Sequence, residues 1–131
     1  MASIIARPAY HLAAGAGLAD LWWKSGRISV KLTGAETGGA FAQVESVDPQ
    51  GSGPPLHVHH NEEETFHVLD GELSVFVDGE ELRLSAGDYV LVPRGVAHAY
   101  LVRSEQARNA RLVLPGRLRG GVHGARHPGD R

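Results

Sequence analysis

Cysteine is absent from the 131 residues of the chain. Disulfide bonds, zinc ribbons, iron–sulfur clusters and thiol catalysis are therefore excluded, because each of them requires a cysteine sulfur. Any metal bound by this chain must be held by nitrogen and oxygen donors, which means chiefly imidazole and carboxylate side chains.

Long apolar runs and an excess of positive charge are missing as well. No run reaches the roughly 18 apolar residues of a membrane-spanning helix, and Arg7, Pro8 and His11 interrupt the apolar N-terminal stretch. The formal net charge is −2, and the basic residues are scattered instead of forming the face that phosphate binding needs. We therefore expect a soluble, cytoplasmic protein that binds neither a membrane nor nucleic acid.

The sequence shows no convincing helical repeat, and the dominant spacing of apolar residues is two. In RISVKLT, residues 27–33, apolar side chains alternate with polar ones, which predicts a half-buried strand. Asp78 and Gly79 separate two strand-like runs, and Asp-Gly readily adopts the dihedral angles of a tight hairpin turn. About eight or nine strands over residues 27–115 predict an all-β barrel or sandwich.

The length predicts a single domain with three parts. Residues 1–26 are expected to be irregular or to add an edge strand, and residues 27–115 to form the barrel. The last segment, 116–131, is rich in glycine and arginine and has only two aliphatic side chains larger than alanine. Since so little apolar surface cannot offset the entropy lost on ordering, we expect a disordered C-terminal tail.

The stretch GSGPPLHVHHNEEETFHVLDG combines four histidines with three consecutive glutamates. Alternate side chains of a strand share a face, so His57 and His59 should point one way and His60 the other. Glu64, at the start of the returning strand, is the glutamate best placed to face the two imidazoles. The two glutamates before it are expected on the exposed connection. The stretch is therefore either a metal site or a polar loop that happens to be rich in imidazole.

Two spaced motifs in this region resemble those of the cupin family. The first, G-x5-H-x-H-x4-E-x6-G, is matched at Gly51, His57, His59, Glu64 and Gly71. The second, G-x5-P-x-G-x2-H-x3-N, is matched at Gly87, Pro93, Gly95 and His98, whereas Val102 stands at the asparagine position. The longer segments TGGAF and GDYVLVPRGVAHAY are similar to the quercetin 2,3-dioxygenase-like branch of small bacterial cupins. The resemblance covers roughly residues 40–115.

The resemblance implies a jelly-roll β-barrel that holds one divalent transition metal in its mouth. Its implied ligands are His57, His59, Glu64 and His98. Three imidazoles and a carboxylate suit iron, manganese, nickel, cobalt, copper or zinc, and they leave one or two positions open. The sequence does not choose among these metals. The alternative is a cupin that keeps the scaffold without a metal.

The same resemblance implies a homodimeric enzyme of bacterial secondary metabolism that acts on a small molecule. We expect a dioxygenase of a phenolic or enolisable aromatic, flavonol-like substrate, with Glu64 as metal ligand and base. Tyr100, Phe66 and Val102 are expected to line the substrate pocket, although Tyr100 also suits ordinary core packing. Two alternatives stay open: a non-oxidative metal-dependent cyclase, isomerase or dehydratase of polyketide-type chemistry, and a small-molecule-binding cupin without catalysis.

Overall fold

The computed structural model describes residues 8–116, which form nine strands and one short helix. In chain order these are β1 (Ala19–Trp23), β2 (Gly26–Leu32), α1 (Gly34–Thr37), β3 (Ala42–Pro49), β4 (Glu63–Asp70), β5 (Glu72–Val77), β6 (Glu80–Ser85), β7 (Tyr89–Val92), β8 (His98–Val102) and β9 (Gln106–Leu114). The prediction of an all-β jelly roll is confirmed. The predicted C-terminal tail lies outside the described residues apart from Gly116.

The strands form two antiparallel sheets. The larger sheet has the order β1-β2-β3-β9-β4-β7, and the smaller has the order β6-β5-β8. Strand β1, which lies in the segment expected to be irregular or to add an edge strand, pairs with β2 at the edge of the larger sheet. Strand β9 pairs with both β3 and β4, so the C-terminal strand joins two parts of the chain that are not adjacent in sequence.

Local residue chemistry accounts for the turns. Asp78 and Gly79 have φ angles of 52° and 80°, which are the left-handed values of the predicted two-residue hairpin between β5 and β6. The segment GAETGG contains α1, whose N-terminus is closed by a capping box between Thr33 and Glu36. A helix of four residues is too short to produce a helical repeat in the sequence, which is why no helix was predicted.

The interior contains two apolar clusters. One comprises Phe66, Val68, Leu73, Val75, Leu84, Val92, Tyr100, Val102 and Ala107. The other comprises Leu21, Ile28, Val30 and Val44. Strands β3 and β9 also bury polar side chains, namely Ser46, Asp48, Asn109 and Arg111. The interior of this sheet is therefore not wholly hydrophobic, and its polar residues bear on the site described below.

In the part of the chain that the structure describes, no helix has the length and apolar character needed to cross a bilayer.

Candidate metal centre

The segment that carries His57 and His59 follows β3 and runs alongside β8. It can approach so closely because residue 53 is glycine: a Cβ there would lie 1.7 Å from the carbonyl oxygen of Tyr100. His57 then exchanges two backbone hydrogen bonds with His98, each of 2.9 Å. The carbonyl of His59 accepts a hydrogen bond of 2.8 Å from the N–H of Gly95. These backbone bonds bring both imidazoles against the start of β8.

The expected alternation of side chains is present, although the segment is not a strand. His57 forms only an isolated bridge to His98, and residues 58–60 have no strand conformation. His59 is nevertheless buried and His60 is exposed. The prediction about which histidines face inward holds, whereas the expected strand is replaced by an irregular segment held by backbone hydrogen bonds.

Glu64 lies in β4 and faces the interior together with Phe66 and Val68, as the alternation predicts. The three residues are 3%, 1% and 0% exposed. Strand β4 fixes the position of Glu64 from both sides, because it pairs with Val92 of β7 and with Val113 of β9. The carboxylate is thus carried by a strand that is paired on both sides within the larger sheet.

The four predicted ligands converge, and this group is called the metal cluster below: His57, His59, Glu64 and His98. Each offers one donor atom, and these four atoms all lie within 4.8 Å of one another. Oε1 of Glu64 lies 3.2 Å from Nε2 of His98 and 3.5 Å from Nε2 of His59. The two imidazole nitrogens therefore share the same carboxylate oxygen as a neighbour.

Backbone carbonyls orient two of the imidazole rings. Nδ1 of His57 lies 2.8 Å from the carbonyl oxygen of Pro55, and Nδ1 of His98 lies 3.0 Å from that of Val96. Because a carbonyl only accepts a hydrogen bond, the proton of each neutral ring belongs on Nδ1, and Nε2 keeps its lone pair. This is the usual arrangement of histidines that bind metals through Nε2.

The donor chemistry of the metal cluster fits a divalent metal. In the tautomer set by Val96, Nε2 of His98 has a lone pair facing Oε1 of Glu64 at 3.2 Å. Two such electron-rich atoms are stabilised by a cation between them or by an additional proton. Three imidazole nitrogens and one carboxylate oxygen suit several first-row transition metals equally. The four residues could therefore hold a metal ion, and the set does not select which one.

The electrostatics favour the protonation states that a metal requires. Burial would raise the pKa of Glu64, but hydrogen bonds from His59 and His98, whenever these rings carry a proton on Nε2 in place of a metal, and the positive charge of Arg111 outweigh it and hold that pKa far below its usual range. Burial lowers the pKa of His57, because a buried imidazolium loses hydration. Ionised carboxylate and neutral imidazole are the forms that coordinate a metal.

Arg111 is an interior residue of the site that the sequence did not reveal. Its side chain is 1% exposed, and its Nη1 lies 3.4 Å from Oε2 of Glu64. Its guanidinium carbon lies 5.6 Å from the centre of the Tyr100 ring, and the Tyr100 hydroxyl donates a hydrogen bond of 3.1 Å to Asp48. The one feature of the sequence that could have indicated a polar interior here is the spacing of Asn109 and Arg111, which puts both on a single face of β9.

Glu62 corrects the expectation that the first two glutamates lie on an exposed connection. Its side chain is only 17% exposed, and its Oε1 lies 3.8 Å from Nδ1 of His59. Glu63 begins β4 and has a carboxylate oxygen 3.7 Å from Nε of Arg94. Glu62 follows His59 by three positions, and the tight turn between them brings the carboxylate back to the ring. It therefore flanks the metal cluster.

The three residues predicted to line a substrate pocket lie in the first apolar cluster. Phe66, Tyr100 and Val102 are 1%, 4% and 2% exposed. The rings of Phe66 and Tyr100 meet edge to face at a centroid distance of 5.7 Å, and Phe66 lies 6.3 Å from the ring of His98. All three thus belong to the packing beneath the metal cluster, and their contact with a substrate stays a prediction.

Comparison with known sequences gives both a family and a relative. A family model described as a cupin domain matches residues 43–114, which is more than half of the chain. Quercetin 2,3-dioxygenase of Bacillus subtilis (strain 168) is 34% identical to the chain over 80 residues. That alignment covers 61% of this chain and 24% of the enzyme, so the chain spans only a small part of the length of this relative.

Solved structures show the same fold. The crystal structure of ectoine synthase from P. lautus superposes with a TM-score of 0.72 at 21% identity, covering 88% of this chain and 82% of that one. An RmlC-like cupin from Shewanella frigidimarina NCIMB 400 superposes with a TM-score of 0.68 at 20% identity, covering 83% and 94%. Because the family match runs from β3 to β9 and takes in all four residues of the metal cluster, the chain belongs to the cupin family.

Proposed function

We propose that this protein is a metal-dependent dioxygenase acting on a phenolic or enolisable aromatic compound of the flavonol type. The observation that carries the proposal is the convergence of three imidazoles and one buried carboxylate on a common point. The named activity of the Bacillus subtilis relative supports the choice of a dioxygenase. A homodimer in the bacterial cytoplasm, serving secondary metabolism, is part of the same proposal.

The metal would be held by His57, His59 and His98 through Nε2 and by Glu64 through Oε1. When bound, such a metal supplies a Lewis-acidic position that takes up the substrate hydroxyl and lowers its pKa. The carbonyls of Pro55 and Val96 keep two of the rings in the required tautomer. The site is therefore preorganised by the backbone before any substrate arrives.

Glu64 is proposed to accept the proton of the substrate hydroxyl. A carboxylate whose pKa lies far below its usual range is a weak base, so it can take a proton only from a hydroxyl that has itself been acidified. Its buried position beside His98 keeps the carboxylate within reach of a group bound at the metal cluster. Phe66, Tyr100 and Val102 are proposed to exclude water from the inner side of the pocket.

Elemental analysis of protein purified without a histidine tag is the first test of this function. Roughly one equivalent of a first-row transition metal per chain is expected, given four donors in one cluster. A redox-active metal would favour the dioxygenase. Protein without metal after expression in metal-supplemented medium, and without metal uptake in vitro, would contradict the proposal.

An oxygen electrode then tests the reaction class with a panel of flavonols, simpler phenols and β-dicarbonyls. The dioxygenase predicts consumption of oxygen equimolar with product. Equal product formation under argon would instead identify a non-oxidative cyclase, isomerase or dehydratase. Binding of a phenol without turnover in either atmosphere would identify a small-molecule-binding cupin.

The variant Glu64→Gln tests the proposed base. Glutamine keeps the shape and an oxygen donor but cannot accept a proton at neutral pH. The variant should retain much of its metal through the three histidines and lose turnover by about 10²–10⁴-fold. Full turnover in this variant would contradict the assignment of Glu64 as base.

A further inference from the structure

Arg111 is the one arginine among residues 8–116 that is fully enclosed by the protein, and it contacts the carboxylate of the metal cluster. Its side chain is 1% exposed, as against 45% for Arg108 on the opposite face of the same strand. Burying a guanidinium is costly unless its charge is compensated. The compensation comes from Glu64, with Nη1 and Oε2 separated by 3.4 Å, and from the nearby carboxylate of Asp48.

The two oxygens of Glu64 have different neighbours. Oε1 faces the Nε2 atoms of His59 and His98, whereas Oε2 faces Arg111. A carboxylate turns about its terminal torsion with little restraint unless something holds it. The contact of Arg111 to Oε2 therefore selects one orientation of the carboxylate, in which Oε1 faces the imidazoles.

The guanidinium is itself held in place. Its carbon lies 5.6 Å from the centre of the Tyr100 ring, and Tyr100 is anchored by its hydrogen bond to Asp48 on β3. Nε and Nη2 of Arg111 have no hydrogen-bond partner among the described residues. Of the five N–H groups, those on Nη1 are therefore the ones that act on another side chain, and that side chain is Glu64.

We propose that Arg111 is a positioning residue that holds Oε2 of Glu64 and thereby leaves Oε1 as the single carboxylate oxygen available to a metal. The inference rests on the proposed metal site and deepens it. Arg111 acts through Glu64 and does not itself contact metal or substrate. Its loss should therefore weaken metal binding only while residue 64 is a glutamate.

A double-mutant cycle on metal affinity tests this dependence. Arg111→Met, Glu64→Gln and the double variant are compared with the wild-type chain by competition for Zn(II) against chelators of graded strength. Loss of a residue that orients a metal ligand typically lowers affinity by about 10–100-fold. We expect such a loss when Arg111→Met is made beside Glu64, and a change of at most about threefold when it is made in Glu64→Gln, because a coupled pair is not additive.

The Co(II) spectrum gives a readout that a purely structural residue would not move. With Arg111 present, Co(II) should show the ligand-field bands of a site with one carboxylate oxygen. In Arg111→Met the freed carboxylate should change band positions and intensity. The matched control is Arg108→Met, which removes an arginine and an exposed ion pair to Glu45 from the outer face of β9 and should leave affinity and spectrum unchanged.

Equal loss of Zn(II) affinity when Arg111→Met is made in the wild-type chain and in Glu64→Gln would overturn the inference, because Arg111 would then support the fold alone. If Arg111→Met does not fold, Arg111→Lys carries the same cycle, since it keeps the positive charge and loses the planar guanidinium.

A urea-unfolding cycle on the metal-free variants separates the two proposals. If the wild type binds no metal, the proposed function fails, and coupling between Arg111 and Glu64 in unfolding still decides whether the arginine holds the carboxylate. Additive unfolding losses would overturn the role of Arg111 in that case too.

Discussion

The metal cluster and the polar residues beneath it differ in how they are built. The metal cluster takes its members from two short stretches, residues 57–64 and the start of β8. The second group, called here the interior polar cluster, comprises Asp48, Tyr100, Asn109 and Arg111 and comes from β3, β8 and β9. The first presents donor atoms to one common point. The second contains buried polar atoms without partners among the described residues, including both side-chain atoms of Asn109.

This difference predicts different consequences of mutation. Changes in the metal cluster should remove metal first, and changes at His98 and Glu64, which are 1% and 3% exposed, should also lower stability. Changes in the interior polar cluster should affect the free energy of unfolding more than metal binding, because buried polar groups cost free energy when their partners are removed. Arg111 connects the two groups through Glu64 and is expected to affect both.

The largest effect is expected from removing an imidazole of the metal cluster. His57→Ala, His59→Ala and His98→Ala should each lose most of the bound metal, because each removes an imidazole donor and a methyl group cannot coordinate a metal. The control is His60→Ala. Because the ring of His60 is exposed, this variant should keep its metal. Metal content measured by mass spectrometry after dialysis checks this. Comparable loss in His60→Ala would break the distinction between inward and outward histidines.

An intermediate effect is expected from Tyr100→Phe. The change keeps the ring beneath the guanidinium but removes the hydroxyl that donates to Asp48. Burial already raises the pKa of Asp48, against the charge of Arg111 and the hydrogen bond from Tyr100. Loss of the donor should destabilise the protein by about 1–3 kcal/mol.

Urea unfolding measures the effect of Tyr100→Phe, with Tyr89→Phe as a control, because Tyr89 is 57% exposed on β7. Metal content should stay unchanged in both variants. If Tyr100→Phe loses metal under conditions in which the variant is still folded, the interior polar cluster supports the metal cluster more directly than their contacts suggest.

A smaller, opposite effect is expected from Asn109→Val. The side-chain amide of Asn109 is buried, and neither its nitrogen nor its oxygen has a hydrogen-bond partner in the described part of the chain. Replacing it by a β-branched apolar side chain should raise the free energy of unfolding by about 1 kcal/mol, because the desolvation cost disappears and valine suits a strand. Asn61→Val, at an exposed bend, is the matched control. Destabilisation by Asn109→Val would show that the amide is satisfied, for example by an ordered water.

The smallest effect concerns pH. Burial lowers the pKa of His57, so the unfolded chain binds its proton more readily than the folded one. The stability that His57 contributes as a neutral buried imidazole is present above the ordinary histidine pKa of about 6.5. It is lost as pH falls through the lowered pKa of the folded protein. Metal-free protein should therefore lose stability below about pH 6.5, and His57→Asn should reduce that dependence. An unchanged slope in thermal unfolding across this range would contradict the role given to His57.

Much of the metal cluster was predictable because its pattern is local. Two histidines separated by one residue, a glutamate five residues later and a histidine two residues after Pro-x-Gly-Val carry the chemistry within short segments. The alternation in β4 correctly placed Glu64 with Phe66 and Val68 in the interior. The strand expected at His57 was wrong, because backbone hydrogen bonds to β8 hold the ring in place without a strand conformation.

The position of Glu62 beside His59 was harder to predict from the sequence. Three consecutive glutamates look alike in the sequence, and only the path of the turn shows that Glu62 returns to His59 while Glu63 starts β4 beside Arg94. Turn geometry depends on the hydrogen bonds of the flanking segments, which the residues of the turn do not specify alone.

By itself the sequence determined the all-β class and the Asp78-Gly79 hairpin, because each depends on residues within a few positions of one another. It predicted the four candidate ligands through two short motifs that resemble those of cupins. The tertiary structure decided what lies beneath them. Arg108 and Arg111 occur in one strand with apolar neighbours on both faces, and the pairing of β9 between β3 and β4 puts one outside and the other against Glu64, 47 residues away. A strand exposes alternate side chains to opposite faces, but which face becomes the interior depends on partners distant in the chain.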